Sequence, residues 1–316
     1  MEAHPRRGDR QLISFQNASR WYGQVIGMND ITVEIGPGVT ALLGENGAGK
    51  TTMLRLITGQ MRPTTGDVTV FGMDPFANPK VYERLGYVPD IDDFPEHLSG
   101  REFVYRMARM SGFDHIGAHS RTEEVLLEVG MADRAEKRLK GYSKGMRQRI
   151  KLAQALLNDP DILLLDEPLN GLDPLGRREF MNSLQSLADR GKTVVVSSHI
   201  LFEVEQMTRS IMLMHRGRML ASGDLRTIRD LIDRHPHRIR IETDQPREVA
   251  ARLMALPFVI SAEIDPGGQA VEIRTREPGS FYDALPALVL EDGLSIFGFE
   301  SPDNNLESVF HYLVDG

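Results

Sequence analysis

The chain has 316 residues, with 37 Lys and Arg against 45 Asp and Glu, for a formal charge of −8. Hydrophobic residues are 41% and charged residues 26%, the balance of a soluble globular protein with room for about two domains. The absence of cysteine excludes a disulfide framework, thiolate metal sites, iron–sulfur clusters and a cysteine nucleophile. The charge is unevenly spread. Met1–Pro236 holds 31 basic and 31 acidic residues, and His237–Gly316 holds 6 and 14, so the whole acidic excess lies in the last 80 residues. A neutral body disfavours a nucleic-acid binder that works through bulk charge. No uncharged apolar run approaches the ~20 residues of a membrane helix. The opening MEAHPRRGDR lacks the apolar segment of a secretory signal. The chain is therefore expected in the cytosol, reaching a membrane only through a partner.

Residues 1–10 read as a loose tail. Gln11–Gln16 and Ile31–Ile35 read as strands, and Val39–Leu43 is an apolar run that meets a glycine-rich stretch. Thr51–Gly59 is helical in pattern, Val68–Phe71 is a strand, and Ser99–Leu139 reads as helix from a capping box made by Ser99 and Glu102. Ser143–Leu157 continues helically, with Met146, Ile150, Ala153 and Leu157 on one face. Ile162–Leu165 and Thr193–Ser197 are continuous apolar strands flanking a helix at Leu175–Arg190, the pattern of a parallel sheet covered on both sides. Beyond Pro236 the order is strand His237–Asp244, helix Pro246–Leu256, strands Val259–Asp265 and Ala270–Thr275, helix Ser280–Leu290 and strand Leu294–Glu300. That β-α-β-β-α-β order predicts a small ferredoxin-like α+β domain. A last helix is predicted at Leu306–Leu313.

Three motifs carry chemistry. Gly44-Glu45-Asn46-Gly47-Ala48-Gly49-Lys50-Thr51 is GxxxxGK[ST] between a strand and a helix, the context of a phosphate loop. Its glycines let backbone N–H groups turn toward phosphate oxygens, and the helix N-terminus adds positive potential. Lys50 would reach the β- and γ-phosphates, and Thr51 would ligate Mg²⁺. Ile162–Leu165 then delivers Asp166 and Glu167 at a strand end, where α/β sheets place ligands. Asp166 suits the Mg²⁺ sphere, and Glu167 suits the base that deprotonates an attacking water. Val194-Val195-Val196-Ser197-Ser198-His199 ends a third strand in an imidazole. Alone it would be structural or solvated; beside the other two motifs it fits a γ-phosphate sensor.

A fourth stretch, Tyr142-Ser143-Lys144-Gly145-Met146-Arg147-Gln148-Arg149, resembles the signature of the ABC ATPase family, usually LSGGQ. Its distance to Pro160 and Asp166 also matches the family. The resemblance covers about Gln11 to Asp230. It implies a P-loop NTPase fold of the ABC type with a helical subdomain near residues 91–158, inside an ATPase domain spanning 11–236, with 237–316 as an accessory domain. It implies ATP and Mg²⁺ as cofactors, bound along the loop that includes Asn46, Ala48 and Thr52. It also implies a head-to-tail dimer in which Ser143, Lys144, Gly145 and Met146 face the partner's nucleotide. Tyr22 matches the aromatic that stacks on adenine, and Asp173 matches the carboxylate of the loop that crosses the dimer interface. There are two departures. Asp90 stands where the family usually has a Gln that contacts Mg²⁺ and the attacking water. Lys144 and Met146 replace Gly and Gln, and the Lys144 cation would either approach a phosphate or point to solvent. Arg134–Lys151 carries eight basic residues and one acid, read as a flank facing the partner's nucleotide rather than a nucleic-acid patch.

The function expected is the ATP-hydrolysing subunit of a membrane transporter, a homodimer or a pair with a paralogous subunit, docked on separate permease subunits at the cytoplasmic face. GYVPD, Leu98–Phe103, YSKGMRQR and Leu306–Val314 resemble the ATPases of ABC-2-type exporters. The alternative is a soluble ABC ATPase acting on nucleic acid or ribosomes. It is disfavoured by the single motif set, by the 92 residues between Lys50 and Ser143 without heptads, and by the missing cysteines. A different P-loop enzyme, such as a kinase, would leave the signature and His199 without a role. The acidic C-terminal domain is expected to regulate, to contact a dimer partner or to dock a basic surface.

Overall fold

The computed structural model describes residues 12–200, 204, 206–225, 228, 236–291 and 293–301. The tail and the helix predicted at Leu306–Leu313 lie outside them. The chain divides into two compact units, Met1–Gly223 and Asp224–Gly316.

The first unit is built on two sheets. β1 (Ile13–Tyr22), β2 (Val25–Ile35) and β4 (Thr65–Val70) form an antiparallel sheet in the order β2-β1-β4. β1 runs six residues beyond the predicted strand end at Gln16, with register shifts along both partners. The second sheet comprises β3 (Gly38–Leu43), β5 (Leu85–Val88), β6 (Ile162–Leu165), β7 (Thr193–Ser198), β8 (Ser210–His215) and β9 (Arg218–Asp224), in the order β5-β6-β7-β3-β8-β9. β5, β6, β7, β3 and β8 pair in parallel, so their C-terminal ends share one edge.

Successive residues of the central strands serve opposite cores, as the pleat requires. Ile162, Leu164 and Val195 pack into one apolar cluster with Phe15, Met28, Met53 and Leu54. Leu163, Leu165, Val194 and Val196 pack into the other with Phe103, Val104, Ile150 and Phe180. This double burial explains why β6 and β7 have no polar alternation. The first core is closed by α1 (Lys50–Ile57) and the antiparallel sheet; α2 (Pro79–Tyr82) is a single turn before β5. The second is closed by α3 (Gly100–Met110), α4 (His115–Glu128), α5 (Lys144–Ala155) and α6 (Pro174–Asp189).

The helical pattern predicted across Ser99–Leu139 is realised as two helices and two short 3₁₀ turns, Ala132–Arg134 and Leu139–Gly141. The break lies at Gly112, whose φ of 96° leaves the helical region, and Asp114 restarts the chain by accepting from Gly117 N at 2.7 Å. The capping box at the start of α3 is present. Glu102 N donates to Ser99 Oγ at 3.2 Å, and Ser99 N donates to Glu102 Oε2 at 2.9 Å.

In the second unit, β10 (His237–Glu242), β11 (Val259–Ile264), β12 (Ala270–Thr275) and β13 (Gly298–Glu300) form an antiparallel sheet in the order β11-β12-β10-β13. With α7 (Pro246–Met254) and α8 (Pro278–Glu291), this is the ferredoxin-like arrangement. β13 is shorter than the predicted Leu294–Glu300, because Leu294 is drawn into the core with Ile239, Val271 and Phe281 instead of pairing along an edge.

Ser99→Ala removes one half of the capping box and should cost about 1 kcal/mol. Urea unfolding of the variant should show a midpoint shift of that size, and Ser99→Asp, which keeps a capping oxygen, should lose less.

Candidate functional site

The site lies on the sheet edge where β3, β6 and β7 end. The Gly44–Gly49 loop follows β3, Asp166 and Glu167 follow β6, and His199 follows β7. Backbone crowding dictates two of the loop's glycines. Gly49 has a φ of 108°, and a Cβ on it would stand 2.5 Å from the Gly27 carbonyl oxygen. A Cβ on Gly44 would overlap the Met214 carbonyl. The turn between β8 and β9 supports the loop from below, with Gly217 N donating to Ala48 O at 2.9 Å and Asn29 N donating to Gly217 O at 2.7 Å. Sequence reasoning missed this hairpin. Its signal is the two-residue Arg216-Gly217 turn, both at positive φ, between two short runs.

Lys50 is 6% exposed, and its ammonium is surrounded by acceptors. Nζ donates to Gly44 O at 2.5 Å and Glu45 O at 3.3 Å, and pairs with Glu167 Oε1 at 3.0 Å. His199 Nδ1 lies 2.9 Å from the other Glu167 oxygen, Oε2. Glu167 itself has a φ of 48°, a left-handed conformation that is costly for a side chain with a Cβ and concentrates at functional sites. Asp166, 2% exposed, accepts from Thr51 Oγ1 on Oδ2 at 2.9 Å and from Ser197 Oγ on Oδ1 at 2.7 Å. Ser197 in turn accepts from Glu167 N at 2.8 Å. Ser197 is a further residue missed from the sequence. A hydroxyl closing a run of buried valines beside an Asp-Glu strand end is the signal that marks it. Tyr87, on β5, has its phenol pushed up to about 12 by burial and by the Asp166 charge, so it stays protonated near the carboxylates.

Part of this cluster walls a cavity of about 350 Å³. Tyr22, Gly27, Glu45 through Thr52, Asp90, Asp166 and Glu167 line it. Tyr22 is 40% exposed, and its ring covers Gly27, where a Cβ would stand 2.5 Å from the ring edge. An exposed aromatic and a loop of backbone N–H groups with a lysine, lining one cavity, suit a base and a polyphosphate. Thr51 and Asp166 supply hard oxygens of the kind Mg²⁺ takes from protein while keeping waters and phosphate as its other ligands.

The signature residues stand apart from this cavity wall. Ser143 caps α5, accepting from Met146 N at 3.3 Å, and Asp173 caps α6, accepting from Gly176 N at 2.8 Å. Met146 is buried in the second core, so its side chain is taken up by packing. Lys144 is not simply solvated: its Nζ is 2.9 Å from Asp92 Oδ2. Lys151 Nζ is 2.7 Å from Asp92 Oδ1. Burial pushes the Lys151 ammonium down from its usual range. At Asp92 burial acts upward, but the two lysines outweigh it and hold the carboxyl below its usual range. Arg147 pairs with Glu96 at 2.9 Å and Arg149 with Glu179 at 2.6 Å, so much of the basic stretch is neutralised locally.

Strand, glycine loop, helix and the carboxylates at the end of a second parallel strand of the same sheet define a P-loop nucleoside triphosphatase. Residues 28–170 match the family model described as ABC transporter. The bacitracin transport ATP-binding protein BcrA of Bacillus licheniformis is 31% identical over 312 residues, spanning 96% of this chain and 98% of that protein. The daunorubicin/doxorubicin resistance ATP-binding protein DrrA of Streptomyces peucetius is 31% identical over 273 residues, 86% of this chain and 82% of its own. A solved structure of the ATP-binding subunit of an ABC transporter superposes with a TM-score of 0.62 at 29% identity, covering 70% of this chain and 93% of that one. The chain belongs to the ABC transporter ATP-binding family, and is an ATPase of that family.

Ser197→Ala removes the hydroxyl shared by Asp166 and the Glu167 backbone. It should cost about 1–3 kcal/mol in unfolding free energy and lower ATP turnover about tenfold. Ser197→Thr should retain most of both, and unchanged turnover in the alanine variant would contradict the bridging role.

Proposed function

We propose that the chain is the ATP-hydrolysing subunit of an ABC-2-type exporter, acting as a head-to-tail dimer with itself or a paralogous subunit, on separate permease subunits at the cytoplasmic face of the membrane. The observation that carries the catalytic part is the chain of contacts His199–Glu167–Lys50 beside Thr51–Asp166, with Lys50, Thr51, Asp166 and Glu167 lining one cavity. The export reading is supported by the relatives named for bacitracin transport and for daunorubicin/doxorubicin resistance. Among the described residues no helix is long and apolar enough to cross a membrane, which is consistent with a separate permease.

In this reading Tyr22 stacks on adenine, and the backbone of Gly44–Gly49 with Lys50 holds the phosphates. Thr51 and Asp166 would hold Mg²⁺, with Asp90 lining the same cavity, and would thereby supply charge neutralisation at the phosphate oxygens. Glu167 accepts the proton of the attacking water, and His199 orients the Glu167 carboxylate through Oε2. Ser143 and Gly145 complete the partner's site, and Asp173 lies on the loop that meets it. Catalysis is then positioning and electrostatics, with little covalent work for the protein. The nucleic-acid alternative loses its support once Lys144, Arg147, Arg149 and Lys151 are seen paired with acids.

Glu167→Gln keeps the shape of the side chain but removes the proton acceptor. ATP hydrolysis should fall by about 10²–10⁴-fold, while ATP binding persists and an ATP-dependent dimer accumulates on light scattering. Wild-type turnover in this variant would refute the assignment of the base.

A further inference from the structure

The loop that carries Asp90 is tied to the helix that begins after Ser143 by one cluster of charges. Lys151, on α5, is 4% exposed at its side chain. Its Nζ donates to Pro89 O at 2.8 Å, to Asp90 O at 3.3 Å and to Ile91 O at 3.5 Å, and lies 2.7 Å from Asp92 Oδ1. Lys144, the first residue of the same helix, donates from Nζ to Asp92 Oδ2 at 2.9 Å. Seven residues separate the two lysines, two helical turns, so both side chains leave α5 on one face. Each oxygen of Asp92 is thus taken by a different lysine. The stem of Lys144 also packs on the loop before Asp173, since a Cβ on Gly171 would stand 3.3 Å from Lys144 Cγ.

We propose that Lys144, Asp92 and Lys151 form an ion clasp that makes the Asp90 loop and the first turns of α5 one mechanical unit, with Asp92 as a positioning residue for ATP hydrolysis. The inference rests on the ATPase reading of the site. A contact between nucleotide and Asp90 on one side displaces the backbone of Pro89–Ile91; Lys151 carries that displacement into α5, and Ser143 moves with it. Lys144 stands where the resemblance expects glycine. It spends its charge on Asp92 and keeps the N-terminus of α5 from moving independently of the loop. Two lysines on one carboxylate also make the clasp asymmetric. Lys151 keeps three carbonyl acceptors when Asp92 is lost, whereas Lys144, among the contacts described here, keeps only its packing on Gly171.

The test is steady-state ATP hydrolysis by the full-length chain, with ATP binding measured separately by titration of a fluorescent ATP analogue. Asp92→Asn and Lys144→Gln should each lower kcat about tenfold with KM and analogue binding held within about twofold. The double variant should fall no further than the lower single variant, and Lys144→Arg should restore most of the turnover lost in Lys144→Gln. Wild-type kcat in the single variants, or a double variant at the product of the two single losses, would overturn the clasp. If Asp92→Asn fails to fold, Lys144→Gln and its arginine rescue carry the test, since the Lys144 side chain is 35% exposed. Lys50→Ala in the same assay separates the two levels. A wild-type chain that matches Lys50→Ala in binding and turnover defeats the reading of the site; an active wild type with unimpaired clasp variants defeats only the clasp.

Discussion

The ammonium of Lys50 is the point on which the site is assembled. Its Nζ donates to Gly44 O and Glu45 O and forms an ion pair with Glu167 Oε1 at 3.0 Å. A charge this deeply buried is tolerated only when paired and hydrogen-bonded. That requirement fixes the path of the glycine loop around it and draws Glu167 toward the end of β3. Through Glu167 it fixes His199, and through Ser197 the neighbouring Asp166 is held in the same frame. In the proposed reading a phosphate oxygen that binds Lys50 would compete with these three partners. Glu167 is the one on a side chain, and its release would free a carboxylate to act on water.

Such a frame needs strand ends that do not move against one another. β6 and β7 supply this by filling a core on each face of the sheet, and β3 lies beside β7 with Leu43 opposite Ser198. The Arg216-Gly217 turn buttresses the loop at Ala48. The strain at Glu167, a side chain held at positive φ, persists because its amide is anchored on Ser197 and its carboxylate on Lys50 and His199. The helical part of the unit is joined to this frame through charges as well as through its core. Asp92, Glu96 and Glu179 absorb the basic face of α5.

Much of this was legible in the sequence where a local pattern determines a local structure. GxxxxGK[ST] set the loop, continuous apolar runs set β3, β6 and β7, and the order of elements after Pro236 set the antiparallel sheet with β10 at its centre beside β12 and β13. The missing parts depend on contacts distant in sequence. Nothing near Lys144 announces that its partner is Asp92, 52 residues earlier. Ser197 reads as the polar end of a strand until Asp166 is placed beside it. β8 and β9 were missed because their short runs carry no strong period, and their strand character comes from pairing at the edge of an existing sheet. The helical pattern expected across Ser99–Leu139 is interrupted at Gly112, where a backbone at positive φ outweighs the pattern on either side. The compact unit boundary at Gly223–Asp224 and the charge boundary at Pro236 are set by different things: the first by packing, the second by composition alone.

If Lys50 holds nucleotide phosphate as proposed, it exchanges the Glu167 carboxylate for that phosphate. A crystal structure of the full-length chain with a non-hydrolysable ATP analogue and Mg²⁺ tests it most directly. The account predicts Lys50 Nζ in hydrogen-bond contact with the β- and γ-phosphate oxygens, and Glu167 Oε1 withdrawn from the 3.0 Å ion pair toward the attacking position. Nucleotide bound with the Lys50–Glu167 pair intact, or bound away from the Gly44–Thr51 loop, would contradict it.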